Sequence, residues 1–506
     1  MKTILTAEQM KECDSRTISG IGISASVLME RAALAIADEA MKAPVFRTKE
    51  IKEIRVLAVC GPGNNGGDGA AAARILTLRG VQSEIFLPGS PARFSEEMQH
   101  QLSVCGRLKI RRVKKPRWEK YDILIDALFG TGLAREPAGE AASAIEKMNA
   151  SEAFVISADV PSGIPVDGGS APECAVHADV TVTMQFAKPG LLVYPTAGFA
   201  GKVVTADIGI VPFPSKPAIL ETEDSDLLRI PARDPSGNKG TFGKVLVVAG
   251  RKNMAGAAVF AGLSALRTGA GMVKILTPEE NRKILQIRLP EAMLETYGDE
   301  PTEENIRASC KALDRALQWA DVTVCGPGLK TDGISHALTE RLLEKAVRPL
   351  VLDADALNCL QGRTNLLKAC RGKVFVTPHP GEMSRLTGKT IREITDGMIP
   401  CAAAFAGRTK ACCILKGART VTALPDGRIF INTSGNDGMA TAGSGDSLTG
   451  ILAALLARGC DPEYAGALAV YLHGKAGDAA AEKHGKSGMK AGDLIDGIRS
   501  AIPKER

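Results

Sequence analysis

Aromatic residues are scarce: Phe, Trp and Tyr together make up 4% of the 506 residues. Alanine and glycine are abundant, which suits close packing of helices on a sheet better than a β-sandwich. The longest apolar helix candidate, around 448–457, is far too short to span a bilayer. Glu8 and Glu12 stand where a signal peptide would need an apolar core. We therefore expect a cytoplasmic protein with no membrane partner.

The sequence also lacks any C-x-x-C pair, although it contains 12 cysteines. Scattered cysteines of this kind indicate buried thiols in a reducing compartment, not a disulfide framework or a zinc site. The net charge of +6 is too small to indicate nucleic-acid binding. The only dense basic run, RRVKKPRW at 111–118, is interpreted as a solvated loop. A patch that contacts phosphate or a partner is the alternative.

Short apolar runs alternate with alanine-rich helical segments from residue 54 onward, after two helical segments near 6–19 and 25–42. Such alternation predicts βαβ units and a mostly parallel sheet with helices on both faces. Prolines in the region 210–220 interrupt the pattern, which restarts near 244. The sequence therefore predicts two α/β domains, 1–213 and 223–506, joined by a linker at 214–222.

A glycine-rich stretch, GPGNNGGDG at 61–69, follows the predicted strand 54–60 and precedes a helix that we expect to begin near Asp68. It lacks the Lys-Ser/Thr pair of a Walker loop, so phosphoryl transfer there is not expected. Two further strand ends carry DALFGTGL, from Asp126, and DVPSG, which contains Ser162. Ligands of open α/β sheets bind beyond the carboxyl ends of strands.

Oxygen donors from these three strand ends, Asn65, Asp126 and Ser162, could therefore converge. Oxygen ligands without His or Cys suit an alkali or alkaline-earth cation. The alternative for Asp126 and for Asp159, which opens DVPSG, is that each carboxylate merely caps the turn that follows it.

In this order the motifs NNGGDG, DALFGTGL and DVPSG resemble the YjeF N-terminal domain, the epimerase of hydrated nicotinamide cofactors. The resemblance spans about 1–213 and implies a Rossmann-like three-layer α/β/α fold. It implies that Asn65, Asp126 and Ser162 bind potassium and that Asp159 is catalytic. Lys188, in FAKPGLL, is a second candidate at the reacting carbon, with an ordinary surface or pairing lysine as the alternative. The residues implied to contact the damaged cofactor are Asn64, Asn65, Gly66, Gly67, Asp68, Gly130, Thr131, Gly132, Leu133, Ala134, Arg135, Glu136 and Asp159.

Near the other end of the chain, AGSGDSLTG places Gly443, Gly445 and Asp446 at the start of a predicted helix. Backbone amides at a helix N-terminus can hold a phosphoryl group, and a carboxylate there can take a proton from a hydroxyl. The alternative is that Asp446 only caps its helix. KGART at 416–420 and His379 in TPHPGEM stand at other predicted strand ends.

Together KGTFGKVLVVAG, GPGL, LDADAL, TPHPGE, KGART and NDGMATAGSGD resemble the YjeF C-terminal domain, which has a ribokinase-like fold. The resemblance covers essentially all of 223–503. It implies that Asp446 is catalytic, that ADP is the nucleotide and that magnesium accompanies it; the sequence itself does not distinguish ADP from ATP. The residues implied to bind the hydrated cofactor are Ala257, Gly328, His379 and Asp446, and those implied to bind the nucleotide are Lys416, Gly417, Ala418, Arg419, Thr420 and Gly445.

The two resemblances predict one bifunctional repair enzyme for hydrated NAD(P)H, written NAD(P)HX. The N-terminal half would interconvert the R and S epimers, and the C-terminal half would dehydrate the S form with ADP. NAD(P)HX and ADP are then the expected small-molecule partners, and we expect a homo-oligomer. Two alternatives stay open: the second half could be a small-molecule kinase of the ribokinase or hydroxymethylpyrimidine kinase type, and the first half could be a non-catalytic binding module.

Overall fold

The computed structural model describes residues 1–89, 94–133, 135–212 and 218–503. The chain forms two compact units, one of Thr3–Ser215 and one of Met1–Lys2 with Lys216–Arg506. The first part of the predicted linker, 214–217, lies outside the described residues, and Ile219–Glu221 in its second part form a strand. Within the described ranges, no helix is long and apolar enough to cross a membrane.

The N-terminal unit is built on a parallel seven-stranded sheet in the order β4-β3-β2-β5-β6-β7-β8. Up to the end of this unit, the elements are β1 (Lys2–Ile4), α1 (Ala7–Ser15), α2 (Ala25–Ala40), β2 (Arg55–Cys60), α3 (Asn64–Leu78), β3 (Gln82–Phe86), α4 (Glu96–Arg107), β4 (Arg111–Val113), β5 (Ile123–Ala127), α5 (Gly139–Asn149), β6 (Phe154–Ala158), β7 (Val180–Met184), α6 (Pro189–Leu192) and β8 (Lys202–Ala206). The strand order reverses between β2 and β5, which is the doubly wound topology of Rossmann-like domains. The predicted fold class is therefore confirmed for this half.

Both faces of this sheet are covered. One apolar core joins β2 and β5 to α2 and α3, and a second joins the opposite face to Ala144, Ile145 and Met148 of α5. Burial on both faces explains why β2 and β5 read as continuous apolar runs and not as alternating ones. The crevice at the carboxyl ends of β2 and β5 is consequently held between two rigid layers.

The C-terminal unit has a larger sheet that includes the order β9-β18-β17-β16-β15-β14-β13-β10-β11-β12. Its elements are β9 (Ile219–Glu221), β10 (Lys244–Val248), α7 (Ala255–Arg267), β11 (Met272–Pro278), α8 (Arg282–Arg288), β12 (Met293–Tyr297), α9 (Glu303–Trp319), β13 (Val322–Cys325), α10 (Gly333–Lys345), β14 (Leu350–Leu352), α11 (Ala354–Asn358), α12 (Asn365–Ala369), β15 (Val374–Val376), α13 (Pro380–Thr387), α14 (Ile391–Asp396), α15 (Met398–Thr409), β16 (Cys412–Leu415), β17 (Val421–Ala423), β18 (Ile429–Ile431), α16 (Ser444–Ala457), α17 (Pro462–His484) and α18 (Ala491–Ala501). Pairing among these strands is parallel except at β17, which runs antiparallel to β16 and β18. The prediction of a second α/β domain is confirmed.

The glycine-rich stretch 61–69 differs from its prediction, because α3 begins at Asn64 and not near Asp68. Its glycines serve close packing. A Cβ on Gly66 would lie 1.9 Å from the carbonyl oxygen of Gly61, and a Cβ on Gly69 would lie 2.4 Å from the Cβ of Ala127. A larger residue at Gly69 would push α3 away from β5, and one at Gly66 would clash with the backbone of Gly61, so glycine is required at these two positions in spite of its low helix propensity.

The basic run 111–118 also differs from its prediction as a solvated loop. Its first three residues form β4, which pairs in parallel with β3 at one edge of the sheet. Arg111 and Arg112 are exposed there. Charged side chains are a common way of keeping an edge strand from pairing with other chains.

Candidate active sites in the two units

A cavity of about 890 Å³ opens in the N-terminal unit at the carboxyl ends of β2 and β5. The backbones of the two strand ends almost touch here, because a Cβ on Gly61 would lie 1.9 Å from the carbonyl oxygen of Leu128. The predicted residues that line the cavity are Asn64, Asn65, Asp68, Gly130, Thr131, Gly132, Leu133, Arg135, Glu136 and Asp159. Gly66 and Gly67 are buried within α3, and Ala134 lies outside the described residues. Helices α1 and α2 supply further walls that the sequence did not predict, among them Asp14 and Met29.

Asp126 and Ser162 form a fully buried pair beneath this cavity. The Ser162 hydroxyl donates to Asp126 over 2.5 Å, and the Ser162 amide and the Ser157 hydroxyl each donate over 2.8 Å. Asp126 also accepts from the amide of Leu128 at 3.3 Å, so it does cap the following turn as well. Burial raises the pKa of Asp126, and the hydrogen bonds from Ser162 oppose that rise.

The side-chain amide of Asn65 lacks hydrogen-bond partners in the part of the chain that the structure describes. Both its amide oxygen and its amide nitrogen are buried without a hydrogen-bond partner among the described residues. Buried polar groups are almost always satisfied, so such an orphan points to an ion or water that completes the site. A Cβ on Gly130 would lie 3.3 Å from the Cβ of Asn65, and the adjacent Phe129 amide donates to the Ser162 hydroxyl at 2.9 Å. The loop at 129–130 thus connects Asn65 with the Asp126–Ser162 pair, and this oxygen-rich set fits a potassium ion.

Asp159 and Lys188 form a buried ion pair at the end of β6. The Lys188 ammonium contacts the Asp159 carboxylate and also donates to the Thr183 hydroxyl at 2.9 Å and the Met184 carbonyl at 3.3 Å. Asp159 has a positive φ of 66°, which aspartate tolerates better than most residues. Its carboxylate lines the cavity and accepts from the Met184 amide at 3.1 Å, so it is more than a turn cap. Lys188 forms an ion pair, as one of its two alternatives expected, and its partner is the candidate catalytic carboxylate.

In the C-terminal unit, Lys416 lies at the centre of a carboxylate cluster. Its ammonium is 2.7 Å from Asp353 and 3.9 Å from Glu382. Burial lowers the pKa of Lys416, but Asp353 and Glu382 outweigh that effect and raise it. Burial raises the pKa of Glu382 to about 7, although Lys416 opposes this. The carboxylates favour the charged form of Lys416 in a half-buried place, an arrangement that suits a lysine facing a phosphate.

The helix N-terminus predicted as an anion hole is that of α16. Its N-cap is Gly443, with a φ of 91°, and no side chain caps this helix. The capping interpretation of Asp446 is therefore not supported. The amide of Ser444 donates to the Thr441 carbonyl at 3.3 Å, so the amides of Gly445 and Asp446 are the ones left for an anion. A Cβ on Gly445 would lie 3.4 Å from the Lys416 ammonium, which places the nucleotide-binding candidates together. Burial, followed by the charge of Asp353, raises the pKa of Asp446 to about 6.

The other residues predicted for the C-terminal site are placed by the contacts that each of them makes. His379 caps α13, because its Nδ1 accepts from the Gly381 amide at 3.0 Å. The amide of Lys416 donates to the carbonyl of Pro378, which holds the 416–420 loop beside His379. Ala257 and Gly328 face each other, since a Cβ on Gly328 would lie 3.1 Å from the Ala257 Cβ. In the loop itself, Arg419 donates to the Thr433 carbonyl, and Gly417 donates to the Thr420 hydroxyl at 3.4 Å; Ala418 completes the loop.

Several residues of this centre were missed by the sequence reasoning. Asp353 and Glu382 stand in LDADAL and TPHPGE, so the motifs were visible although their roles were not. His473 is buried behind α16 with its Nε2 2.9 Å from the Ser444 carbonyl, and burial lowers its pKa to about 4. A second cavity of about 550 Å³ contains none of the predicted residues and is lined in part by His336, Asp355 and Arg385.

Each unit therefore carries carboxylates at the carboxyl ends of parallel strands, the usual place for ligands of open α/β sheets, which defines an α/β enzyme with a candidate site in each unit. Family models match both halves: the YjeF-related protein N-terminus over residues 25–190 and the NAD(P)H-hydrate dehydratase over residues 245–500. The bifunctional NAD(P)H-hydrate repair enzyme Nnr of Moorella thermoacetica is 37% identical, with 97% of this chain and 95% of the relative covered. The enzyme of the same name from Escherichia coli is 32% identical over 89% of this chain and 85% of its own length.

A solved structure of the ADP/ATP-dependent NAD(P)H-hydrate dehydratase from Bacillus subtilis, co-crystallised with ATP/Mg²⁺, is 32% identical; it covers 55% of this chain and 96% of its own, with a TM-score of 0.49. The full-length relatives and the two family models settle the family. The chain belongs to the bifunctional NAD(P)H-hydrate repair enzymes. The resemblance predicted from the sequence motifs is confirmed.

Proposed function

We propose that this chain repairs hydrated nicotinamide cofactors in two steps. The N-terminal unit interconverts the R and S epimers of NAD(P)HX, and the C-terminal unit dehydrates the S form with ADP, releasing AMP and phosphate. The observation that carries the proposal is the presence of both site types in one chain: the cavity with the Asp159–Lys188 pair in one unit, and Asp446 at an uncapped helix N-terminus in the other. Relatives that share both units over almost their whole length bear the name of this repair activity.

In the N-terminal unit, the cavity is large enough to enclose much of a nucleotide, and its floor is formed by the strand ends. Asp159 is held in place by Lys188 and by the Met184 amide, so its carboxylate is oriented before substrate binds. It stabilises positive charge that develops on the nicotinamide ring when the C6 hydroxyl departs. Potassium, when bound by Asn65, Asp126 and Ser162, would supply a fixed positive charge that orders the loop at 129–130 beside the cofactor phosphates.

In the C-terminal unit, the C6 hydroxyl must first be phosphorylated, because hydroxide is a poor leaving group. Asp446 accepts the proton of the C6 hydroxyl while that oxygen attacks the terminal phosphorus of ADP, and the bond from this phosphorus to AMP breaks so that AMP leaves. The amides at the start of α16 and the ammonium of Lys416 stabilise the phosphoryl group in transit. The ring nitrogen lone pair then expels phosphate, and loss of a ring proton restores NAD(P)H. Magnesium, carried by the nucleotide, would neutralise phosphate charge near Asp353 and Glu382.

The test is a spectrophotometric assay of the whole chain on a mixture of R and S hydrates, with and without ADP. We expect complete recovery of NADH absorbance with ADP and none without it. Free phosphate should form in step with NADH. A stable phosphorylated hydrate in place of free phosphate would instead assign the second unit to a small-molecule kinase.

The variant Asp159→Ala distinguishes the activities of the two units. It should leave dehydration of the S hydrate intact, while the R hydrate accumulates. If this variant still consumes the R hydrate faster than uncatalysed epimerisation allows, Asp159 is not part of the epimerase site. If the hydrate slows hydrogen exchange at the carboxyl ends of β2 and β5 in the unmodified chain but epimerisation is not accelerated, the N-terminal unit is a binding module.

A further inference from the structure

Two carboxyl groups in the N-terminal cavity have no role in the steps described above. Asp14 comes from α1 and Asp68 from α3, and both line the same cavity as Asp159. Asp159 is neutralised by Lys188. Within the described part of the chain, the side chains of Asp14 and Asp68 have neither a hydrogen bond nor an ion pair. An unpaired carboxylate in a half-buried place is costly, so these two groups require a reason to be there.

Their surroundings favour the protonated form. Burial raises the pKa of Asp68 well above its ordinary value, and the charges of Asp159 and Asp14 raise it further. Burial also raises the pKa of Asp14, as do the charges of Asp159 and Glu97. The other charged groups that line this cavity are Lys11 on α1, Glu97 on α4, and Arg135 and Glu136 on the loop after β5. Carboxyl groups with shifted pKa values in a cleft are typical of acid–base catalysis.

Epimerisation at C6 needs such groups in addition to Asp159. The hydroxyl must leave as water from one face of the ring and water must return to the other face. Departure requires a proton donor at the hydroxyl oxygen, and return requires a proton acceptor. The Asp159 carboxylate is engaged by the Lys188 ammonium, so it is placed to stabilise a cationic ring, and a separate group is needed to exchange a proton with the hydroxyl.

We propose that Asp14 and Asp68 form the second acid–base group of this cavity and exchange protons with the C6 hydroxyl. In the forward step the C6–O bond breaks, its electron pair stays on oxygen, and a proton from the carboxyl pair completes a water molecule. The ring nitrogen lone pair forms a double bond to C6, and Asp159 faces the resulting cation. Water then adds to the opposite face of C6 and returns a proton to the carboxyl pair. This inference rests on the proposed epimerase function and adds the residues that move the proton.

The experiment uses the full chain with Asp14→Asn, Asp68→Asn and the double variant. Each substitution keeps the shape of the side chain and removes its proton exchange. We expect each single variant to lower kcat for consumption of the R hydrate by about 10²–10⁴-fold, with little change in KM. The double variant should lose little more, because the two carboxyls act as a unit. ADP-dependent dehydration of the S hydrate by the same preparation should be unchanged, which also shows that the chain is folded.

The pH profile distinguishes proton exchange from a structural role. A donor must be protonated, so epimerisation by the unmodified chain should fall as pH rises through the raised pKa of the carboxyl pair. Whichever Asn variant retains measurable activity should lose that fall. In H₂¹⁸O, label should enter the hydrate at the rate of epimerisation in the unmodified chain and much more slowly in the variants. Glu12→Gln, an exposed position on α1, is the matched control and should behave as the unmodified chain.

Epimerisation within twofold of the unmodified chain in both single variants would overturn the inference, as would a lower rate with the pH profile unchanged. Asp159→Ala, assayed in parallel, keeps this outcome separate from failure of the proposed function. If that variant loses epimerisation while the Asn variants keep it, only the roles of Asp14 and Asp68 are rejected. If Asp159→Ala retains epimerisation, the site itself is elsewhere.

Discussion

The two units compensate buried charge in different ways. In the N-terminal unit, Asp126 is surrounded by hydroxyl and amide donors, and Asp159 has a lysine of its own. In the C-terminal unit, the single ammonium of Lys416 serves Asp353 and Glu382 and also lies close to the helix that carries Asp446. In the first arrangement, Asp126 and Asp159 are each compensated by donors of their own. The second has an excess of negative charge, so a nucleotide is best received there together with a divalent cation.

The largest difference between the units should appear with Asp446→Asn. This variant keeps the shape of the anion hole but cannot accept a proton. We expect dehydration of the S hydrate to fall by about 10²–10⁴-fold, whereas interconversion of R and S continues at its normal rate. Chromatography of the two epimers with and without ADP measures both rates. ADP-dependent turnover near the normal rate would show that another group is the base.

A stability effect confined to the first unit is expected from Lys188→Met. The substitution leaves the Asp159 carboxylate buried without its cation, and removal of one partner from a buried pair costs about 3–5 kcal/mol. Hydrogen exchange followed by mass spectrometry should therefore show faster exchange in β6 and β7, with the strands of the C-terminal unit unaffected. Lys202→Met, at an exposed position on β8, is the control. Equal protection in the two variants would mean that the ion pair adds nothing to the free energy of unfolding.

Part of the difference between the two candidate sites could be predicted from the sequence. Apolar runs and strand-end motifs were sufficient to place Asp126, Asp159 and Ser162 at one edge of a parallel sheet, because the rule depends only on strand direction. The predicted start of α3 near Asp68 was wrong, because the helix begins at Asn64. Its glycines favour a loop locally, whereas close approaches such as that of Gly66 to Gly61 depend on the folded structure.

Contacts between side chains far apart in the sequence could not be predicted from the sequence alone. Lys416 and Asp353 are separated by 63 positions, and their contact depends on β14, β15 and β16 being adjacent. The hairpin of β17 and β18 was missed because each strand has three residues, although the intervening Asp426-Gly427 dipeptide is a hairpin signal. The role of a residue within a motif, such as Glu382, can be assigned only when the positions of the neighbouring charged groups are known.

Potassium should stabilise the first unit alone. If the ion binds Asn65, Asp126 and Ser162, then a concentration near 100 times its dissociation constant adds about 2.7 kcal/mol to the free energy of unfolding. Replacing KCl by LiCl at equal ionic strength should raise hydrogen exchange in β5 and β6 and slow epimerisation. Asn65→Leu should remove this salt dependence, because it removes the buried oxygen donor. A salt effect of the same size in Asn65→Leu would place the ion elsewhere.

The smallest effect expected is a shift in the pH dependence of dehydration. Asp446 must be ionised to accept the hydroxyl proton, and its pKa is raised to about 6 by burial and then by the charge of Asp353. Below that pH the rate on the S hydrate should fall about tenfold per pH unit, and above it the rate should level off. The charge of Asp355 also raises this pKa, so Asp355→Asn should move the fall to lower pH without lowering the plateau. Epimerisation, measured in the same samples, should not follow this curve, because its acid–base groups belong to the other unit; a shared pH limb would mean that one titrating group governs both activities.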